Sequence, residues 1–223
     1  MLIENLNNSI IKCKKCPRLV KFREKISVEK RKQFIDQTYW GKPITGFGDV
    51  KSKVLLVGLA PAAHGGNRTG RVFTGDKSSD FLYKCLYKAK IANQPSSTHL
   101  NDGLKLKNSF ITTALKCVPP EDKPLRHELD NCFKFFNSEI NQLKNLKIII
   151  ALGKIGFDAC VYYFKSNYEF KEKIKFVHGK IYKVPKNILL VGCYHPSPRN
   201  VNTGRINENK MTNLFKRILK LVD

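Results

Sequence analysis

The stretch that decides the fold is Val54-Leu-Leu-Val-Gly-Leu-Ala60, an apolar run that opens directly into the polar, glycine-rich segment PAAHGGNRTGRVFTGD at 61–76. The run has strand length and does not alternate with polar residues. That suits a strand covered on both faces of a parallel sheet. Three more runs share this character: Phe110–Leu115 (FITTAL), Lys147–Leu152 (KIIIAL) and Ile188–Tyr194 (ILLVGCY). Between them, apolar residues recur at three- and four-residue spacing over Ser78–Ile91, His127–Leu146 and Ile155–Phe164. The end, Asn209–Leu221, places Met211, Leu214, Ile218 and Leu221 on one helical stripe. Strands alternating with helices predict a three-layer α/β/α sandwich around a central, mainly parallel four-stranded sheet. Lys173–Val184 alternates around His178-Gly179 and is expected to add a hairpin.

The chain has 223 residues, which suits one domain over 1–223, with residues 1–50 as an extension too small for its own core. Apolar residues make up 42%, enough to exclude global disorder. No run reaches the roughly 18 apolar residues of a membrane span. The start, MLIENLNNSIIKC, lacks a basic region followed by an apolar block, so a soluble cytoplasmic protein with no membrane partner is expected. Forty-one Lys and Arg against 18 Asp and Glu leave a net charge of +23, which favours a polyanionic partner, nucleic acid, over an idle basic surface.

The polar segments 61–76, 116–120 and 195–205 all follow strands, so they collect in the crevice where open α/β sheets bind ligands. Asp76 precedes Lys77-Ser78 at the start of a helix, where a cap and a catalytic carboxylate are equally good readings. Phe73, flanked by Gly70, Arg71, Thr74 and Gly75, suits stacking on a base better than core packing. His195 opens HPSPRN where the last strand meets the crevice, placed to donate a hydrogen bond to developing negative charge; a purely structural histidine is the alternative. Arg199 follows in reach of a nucleic-acid groove. No G-x4-G-K-[ST] pattern occurs, which argues against a phosphate-loop nucleotide hydrolase.

Seven cysteines in such a protein point to metal or catalysis rather than disulfides. Cys13 and Cys16 are spaced C-x2-C, and Cys117 and Cys132 lie 14 residues apart. A site built from these four would staple the extension to the sheet across the 100 residues between Cys16 and Cys117. Spacing leaves zinc and a [4Fe–4S] cluster both open. Cys85, Cys160 and Cys193 sit in apolar helix and strand contexts and are expected in the core.

Together, GLAPAAHGGNRTGRVFTGDKSSDFL, HPSPRNVNTGR and the cysteine pattern resemble the family 5 (type b) uracil-DNA glycosylases, relatives of the iron–sulfur family 4 enzymes, from about Cys13 to the last helix. The resemblance implies an α/β/α fold and excision of uracil, or other deaminated bases, from DNA by hydrolysis of the N-glycosidic bond. It implies a structural [4Fe–4S] cluster on Cys13, Cys16, Cys117 and Cys132. Leu59 stands where family 4 carries an acid in GEAPG, leaving Asp76 as the candidate for positioning water, with His195 as the second catalytic residue. Thr113 stands where relatives often place an asparagine that reads the uracil edge. The residues expected to bind the base are Ala60, His64, Asn67, Phe73 and Thr113. Those expected on DNA are Arg71, Arg199 and Arg205. A monomer acting on DNA is the expectation, and a non-enzymatic, metal-stapled nucleic-acid-binding protein is the rival.

Overall fold

The computed structural model describes residues 3–222. Two helices, α1 (Ile3–Ile11) and α2 (Pro17–Glu29), lead through a long loop to a short strand β1 (Phe47–Gly48). There follow β2 (Val54–Gly58), α3 (Gly66–Thr69), α4 (Lys77–Lys88), β3 (Ser109–Thr113), α5 (Arg126–Gln142), β4 (Ile148–Leu152) and α6 (Lys154–Asn167). The chain closes with β5 (Ile181–Val184), β6 (Ile188–Cys193), α7 (Pro198–Asn202) and α8 (Glu208–Leu219).

The four expected strands form the parallel centre in the order β3-β2-β4-β6, in register Val54 with Ser109 and with Ile148, and Ile148 with Leu189. Every residue of β2, β3 and β4 is buried, as an unalternating apolar pattern requires when helices cover both faces. The sheet is larger than four strands: β1 pairs antiparallel with β3, and β5 antiparallel with β6, making six. β1 is two residues long and its pairing is set by partners 62 and 64 residues on, so local pattern does not announce it. The expected hairpin over Lys173–Val184 is corrected. Only Ile181–Val184 becomes a strand, and its partner is β6 rather than 173–177, which reaches the sheet through one bridge, His178 to Gly192.

One apolar layer, built from α4, α8 and one face of the sheet, includes Leu82, Leu86, Met211, Phe215, Leu56 and Ile150. The opposite layer sets Phe136, Ile140, Phe157 and Phe164 of α5 and α6 against Leu55, Val57 and Ile149. Cys85 and Cys193 fall in the first layer and Cys160 in the second. Burial drives the Cys85 thiol up to about 11 and raises Cys160 and Cys193 further, so all three are inert core thiols.

β2 connects to β3 on one side and β4 continues on the other, so the chain reverses direction at the β2/β4 boundary. A crevice opens there beyond the carboxyl ends of the strands. The extension is a satellite core of Leu6, Ile10 and Leu19 against Leu115, Cys132 and Phe135. Buried polar contacts reinforce it. Lys116 Nζ pairs with Glu139 and hydrogen-bonds Thr112 Oγ1 at 2.6 Å, while Glu139 Oε1 accepts the Gly46 amide at 2.9 Å. Arg18 pairs with the buried Glu128 at 2.7 Å.

A candidate base-excision site

A cavity of about 310 Å³ lies at the reversal point, lined by Leu59, Ala60, Pro61, Ala62, Phe73, Asp76, Ser78, Asp122, His195, Ser197 and Pro198. The loop after β2 forms one wall, the helix start at Asp76 another, and the turn after β6 a third. Sequence-distant residues thus meet because β2 and β6, separated only by β4, run parallel and end on the same edge of the sheet.

Asp76 caps α4. Its Oδ1 accepts the Ser79 amide at 2.9 Å, and Ser79 Oγ accepts the Asp76 amide at 3.0 Å, a reciprocal capping box. The cap and cavity readings are therefore compatible: the carboxylate ends the helix and lines the cavity. It fits because residue 65 is glycine, where a Cβ would collide with the carboxylate. Burial raises the Asp76 pKa, opposed by the cap amides of Ser79 and Ser78.

Phe73 has φ +47°, in the left-handed region that aromatic residues avoid. Gly58 makes room for its ring, since a Cβ there would lie 2.6 Å from Phe73 Cζ. Against the expectation of a residue outside the core, Phe73 is buried and packs into the first apolar layer, while its ring and that of His195, 6.0 Å apart and tilted 35°, border the same cavity. Burial pushes the His195 imidazole down to about 4, so it is neutral at physiological pH. Asn200 Nδ2 donates to the His195 carbonyl at 2.9 Å and fixes the turn that carries the ring.

Four expected residues do not line this cavity. Asn67 is buried and donates from Nδ2 to the Arg23 carbonyl at 3.2 Å, which ties α3 to α2. His64 Nδ1 pairs with the Tyr39 hydroxyl at 2.9 Å, at the back of the loop. Thr113 is buried, and its hydroxyl donates to the Leu115 carbonyl at 2.9 Å. Arg71 is 3% exposed and held by Asp102 at 2.5 Å, Ser97 at 2.9 Å and Thr74 at 3.0 Å, so it braces the 97–104 loop and is sequestered from any DNA backbone. In each case the polar group completes a buried hydrogen-bond set that local sequence does not reveal. Ala60 does line the cavity; Arg199 follows the lining residue Pro198 in the chain, and Arg199 and Arg205 are both exposed without lining it.

Sequence reading missed Asp122. It lies in the PPED turn after Cys117 with φ +56°, and it lines the cavity opposite Asp76's loop. Its only sequence signal was position, a polar turn beyond a strand end. Asp122 also borders a second cavity of about 390 Å³ between α5 and α6, walled by Leu129, Phe133, Phe136, Ile155 and Tyr162. That second cavity has no histidine and a mainly apolar wall, so the smaller one is the better chemical site.

Cys13, Cys16, Cys117 and Cys132 all border one cavity between the extension and the sheet. Burial raises the thiols of Cys117 to about 11 and Cys132 to about 12. Arg23 Nη1 donates to Cys117 Sγ at 3.1 Å, and the Lys116 amide to Cys132 Sγ at 3.3 Å. Such donors offset thiolate charge. Among the described residues no three His, Cys, Asp or Glu side chains close to the spacing of a single metal ion. Zinc would draw four sulfurs to within about 3.8 Å of one another (Zn–S about 2.3 Å, tetrahedral). The four sulfurs around one cavity are the donor set that zinc and an iron–sulfur cluster both take.

A family model described as the uracil DNA glycosylase superfamily matches residues 45–220. The chain is 41% identical over 217 residues to the Type-5 uracil-DNA glycosylase of Mycobacterium bovis, covering 97% of this chain and 80% of that protein. To the Type-5 uracil-DNA glycosylase of Mycobacterium leprae it is 40% identical over 220 residues, 98% of this chain and 95% of that one. To that of Thermus thermophilus it is 40% identical over 194 residues, 87% and 86% of the two chains. With this similarity running through the extension, the crevice loops and the last helix, the chain belongs to the uracil-DNA glycosylase superfamily, among its type-5 members.

Proposed function

We propose that this protein flips uracil out of DNA and hydrolyses its N-glycosidic bond, leaving an abasic site, and that other deaminated bases enter the same pocket. The observation that carries the reading is the meeting of Phe73, Asp76 and His195 on one cavity at the sheet's reversal point. A simple nucleic-acid binder needs neither a desolvated carboxylate nor a histidine held neutral by burial.

Extrusion costs a few kcal/mol, less at a mismatch, and stacking of the base on Phe73 offsets part of it. As the C1′–N1 bond breaks, its electron pair leaves with the base, and the sugar gains oxocarbenium character. His195 donates a hydrogen bond to a uracil carbonyl oxygen where the negative charge collects; a neutral imidazole suffices. Asp76 faces the cationic sugar and holds the water whose oxygen bonds to C1′ and whose proton passes to the carboxylate. The base carries its own charge away, so no second carboxylic acid has to protonate it. Arg199 and Arg205 stand at the rim to meet phosphates.

Cys13, Cys16, Cys117 and Cys132 would hold a [4Fe–4S] cluster whose part is structural, fixing the extension against the sheet. The protein is read as a monomer working on DNA inside the cell; among the described residues no helix is long and apolar enough to cross a membrane. The test is a panel of duplexes carrying one altered base opposite each normal base, scored for alkali-labile breaks. Cleavage at uracil is expected, and a panel without any break would overturn the reading.

A further inference from the structure

The base cavity is lined by two carboxylates, Asp76 and Asp122, and by no Lys or Arg. The neighbouring apolar cavity has Lys123 and Arg126 against three aspartates. Neither lining has the cationic excess to hold DNA while a nucleotide is out of the stack, which leaves that work to the surface around them, Arg199 and Arg205 included. A third groove, of about 650 Å³, has the opposite balance. It lies on the extension, lined by Ile11, Lys12, Lys14, Arg23, Glu24, Ser27, Val28, Tyr39, Trp40, Gly41 and Lys42, four cations against one carboxylate. Lys12, Lys14 and Lys42 are exposed, and none has an ion-pair partner among the described residues. Arg23 is buried beneath and supplies a fixed positive charge.

The groove is fastened to the catalytic loop. The Trp40 amide donates to the Arg68 carbonyl at 2.9 Å, the Gly41 amide to the Asn67 carbonyl at 3.0 Å, and Tyr39 pairs with His64. Its wall is therefore tied by hydrogen bonds to the segment 64–68 of the loop that leads to Asp76.

We propose that this groove is a second DNA contact, gripping the phosphate backbone that flanks the extruded nucleotide; the inference rests on the glycosylase reading. The occupant is DNA because the groove is cationic, lies outside the base pocket and is continuous with its supporting loop. The extension thereby has a use beyond holding thiols: it carries Lys12 and Lys14 on either side of Cys13, locked in place by that residue's packing.

The test is the triple variant K12E/K14E/K42E, in the intact purified protein, against a control K165E/K171E/K173E. The control lysines are all exposed, Lys165 in the last turn of α6 and Lys171 and Lys173 in the segment that follows it. Binding to a fluorescent, uracil-free duplex is titrated between about 50 and 200 mM salt. The slope of log affinity against log salt should shrink by about 2–3 in the groove variant, roughly 0.9 per lost phosphate contact, with affinity at least about tenfold weaker. The control should match wild type. K42E alone, far in sequence from the cysteines, should remove about one unit of slope and guards against damage near Cys13. A groove variant with the control's slope overturns the proposal even if wild type excises uracil, and points instead to an acidic protein partner for the groove. A wild type that excises nothing overturns the glycosylase reading separately.

Discussion

A single carboxylate in this molecule ends a helix and faces a reaction cavity, and the two duties can be separated. Asn is as good an N-cap as Asp, so Asp76→Asn should leave the thermal midpoint almost unchanged while slowing single-turnover excision by about 10²–10⁴-fold. Rates near wild type would remove Asp76 from the chemistry. His195 has a complementary signature. Its depressed pKa keeps it neutral above about pH 4, so excision should show no step near pH 6.5, the ordinary histidine value. The sign for stability is definite. Between about pH 6.5 and 4 the unfolded chain binds a proton on this ring that the folded chain does not. Folding therefore weakens as pH falls through that window, by about 1.4 kcal/mol per unit for this one group. An NMR titration placing the His195 midpoint near 6.5 would refute both statements.

Several elements here are held by buried charge rather than by apolar packing alone. Arg71 sits after α3, yet its guanidinium is spent on Asp102, Ser97 and Thr74, which clamps the 97–104 loop behind α4. Arg71→Leu would strand Asp102, whose carboxyl the guanidinium holds far below its usual range. Breaking one partner of such a pair costs about 3–5 kcal/mol, which for a chain of this size lowers the thermal midpoint by roughly 10 °C. The salt slope of DNA binding should not move, because the side chain cannot meet a phosphate. A loss of slope with normal stability would show instead that Arg71 swings out to DNA. The Lys116–Glu139 pair does the same for β1, through the Gly46 amide.

The whole molecule separates its charges. A net +23 is borne by the surface, while the base pocket keeps two acids and a neutral histidine. Substrate is thus attracted by the body and the rim, and the transition-state cation by the pocket. The proposed cluster would matter at this scale because it would close a loop of about 100 residues between the extension and the sheet. Cys117→Ser should abolish the broad visible absorbance of anaerobically purified protein and cost on the order of 4 kcal/mol of stability, the loop-closure value for a cross-link of that span. Unchanged absorbance, or stoichiometric zinc in wild type, would refute the cluster.

The four parallel strands, the helices α4, α5, α6 and α8, the four thiols around one cavity and the trio Phe73, Asp76 and His195 were readable in one dimension. Each is announced by a local pattern: an unbroken apolar run, a 3.6-residue stripe, a C-x2-C pair, or a polar loop at a strand end. What tertiary structure alone decided was the side of each wall on which a polar residue falls. Asn67, Thr113 and Arg71 share the composition of binding residues, yet each is consumed by a partner 2 to 44 residues away. Asp122, in an unremarkable turn, faces the cavity. Burial of a hydrogen-bonding group is satisfied through space, so neither its partner nor its availability to a ligand is encoded by its neighbours in the chain.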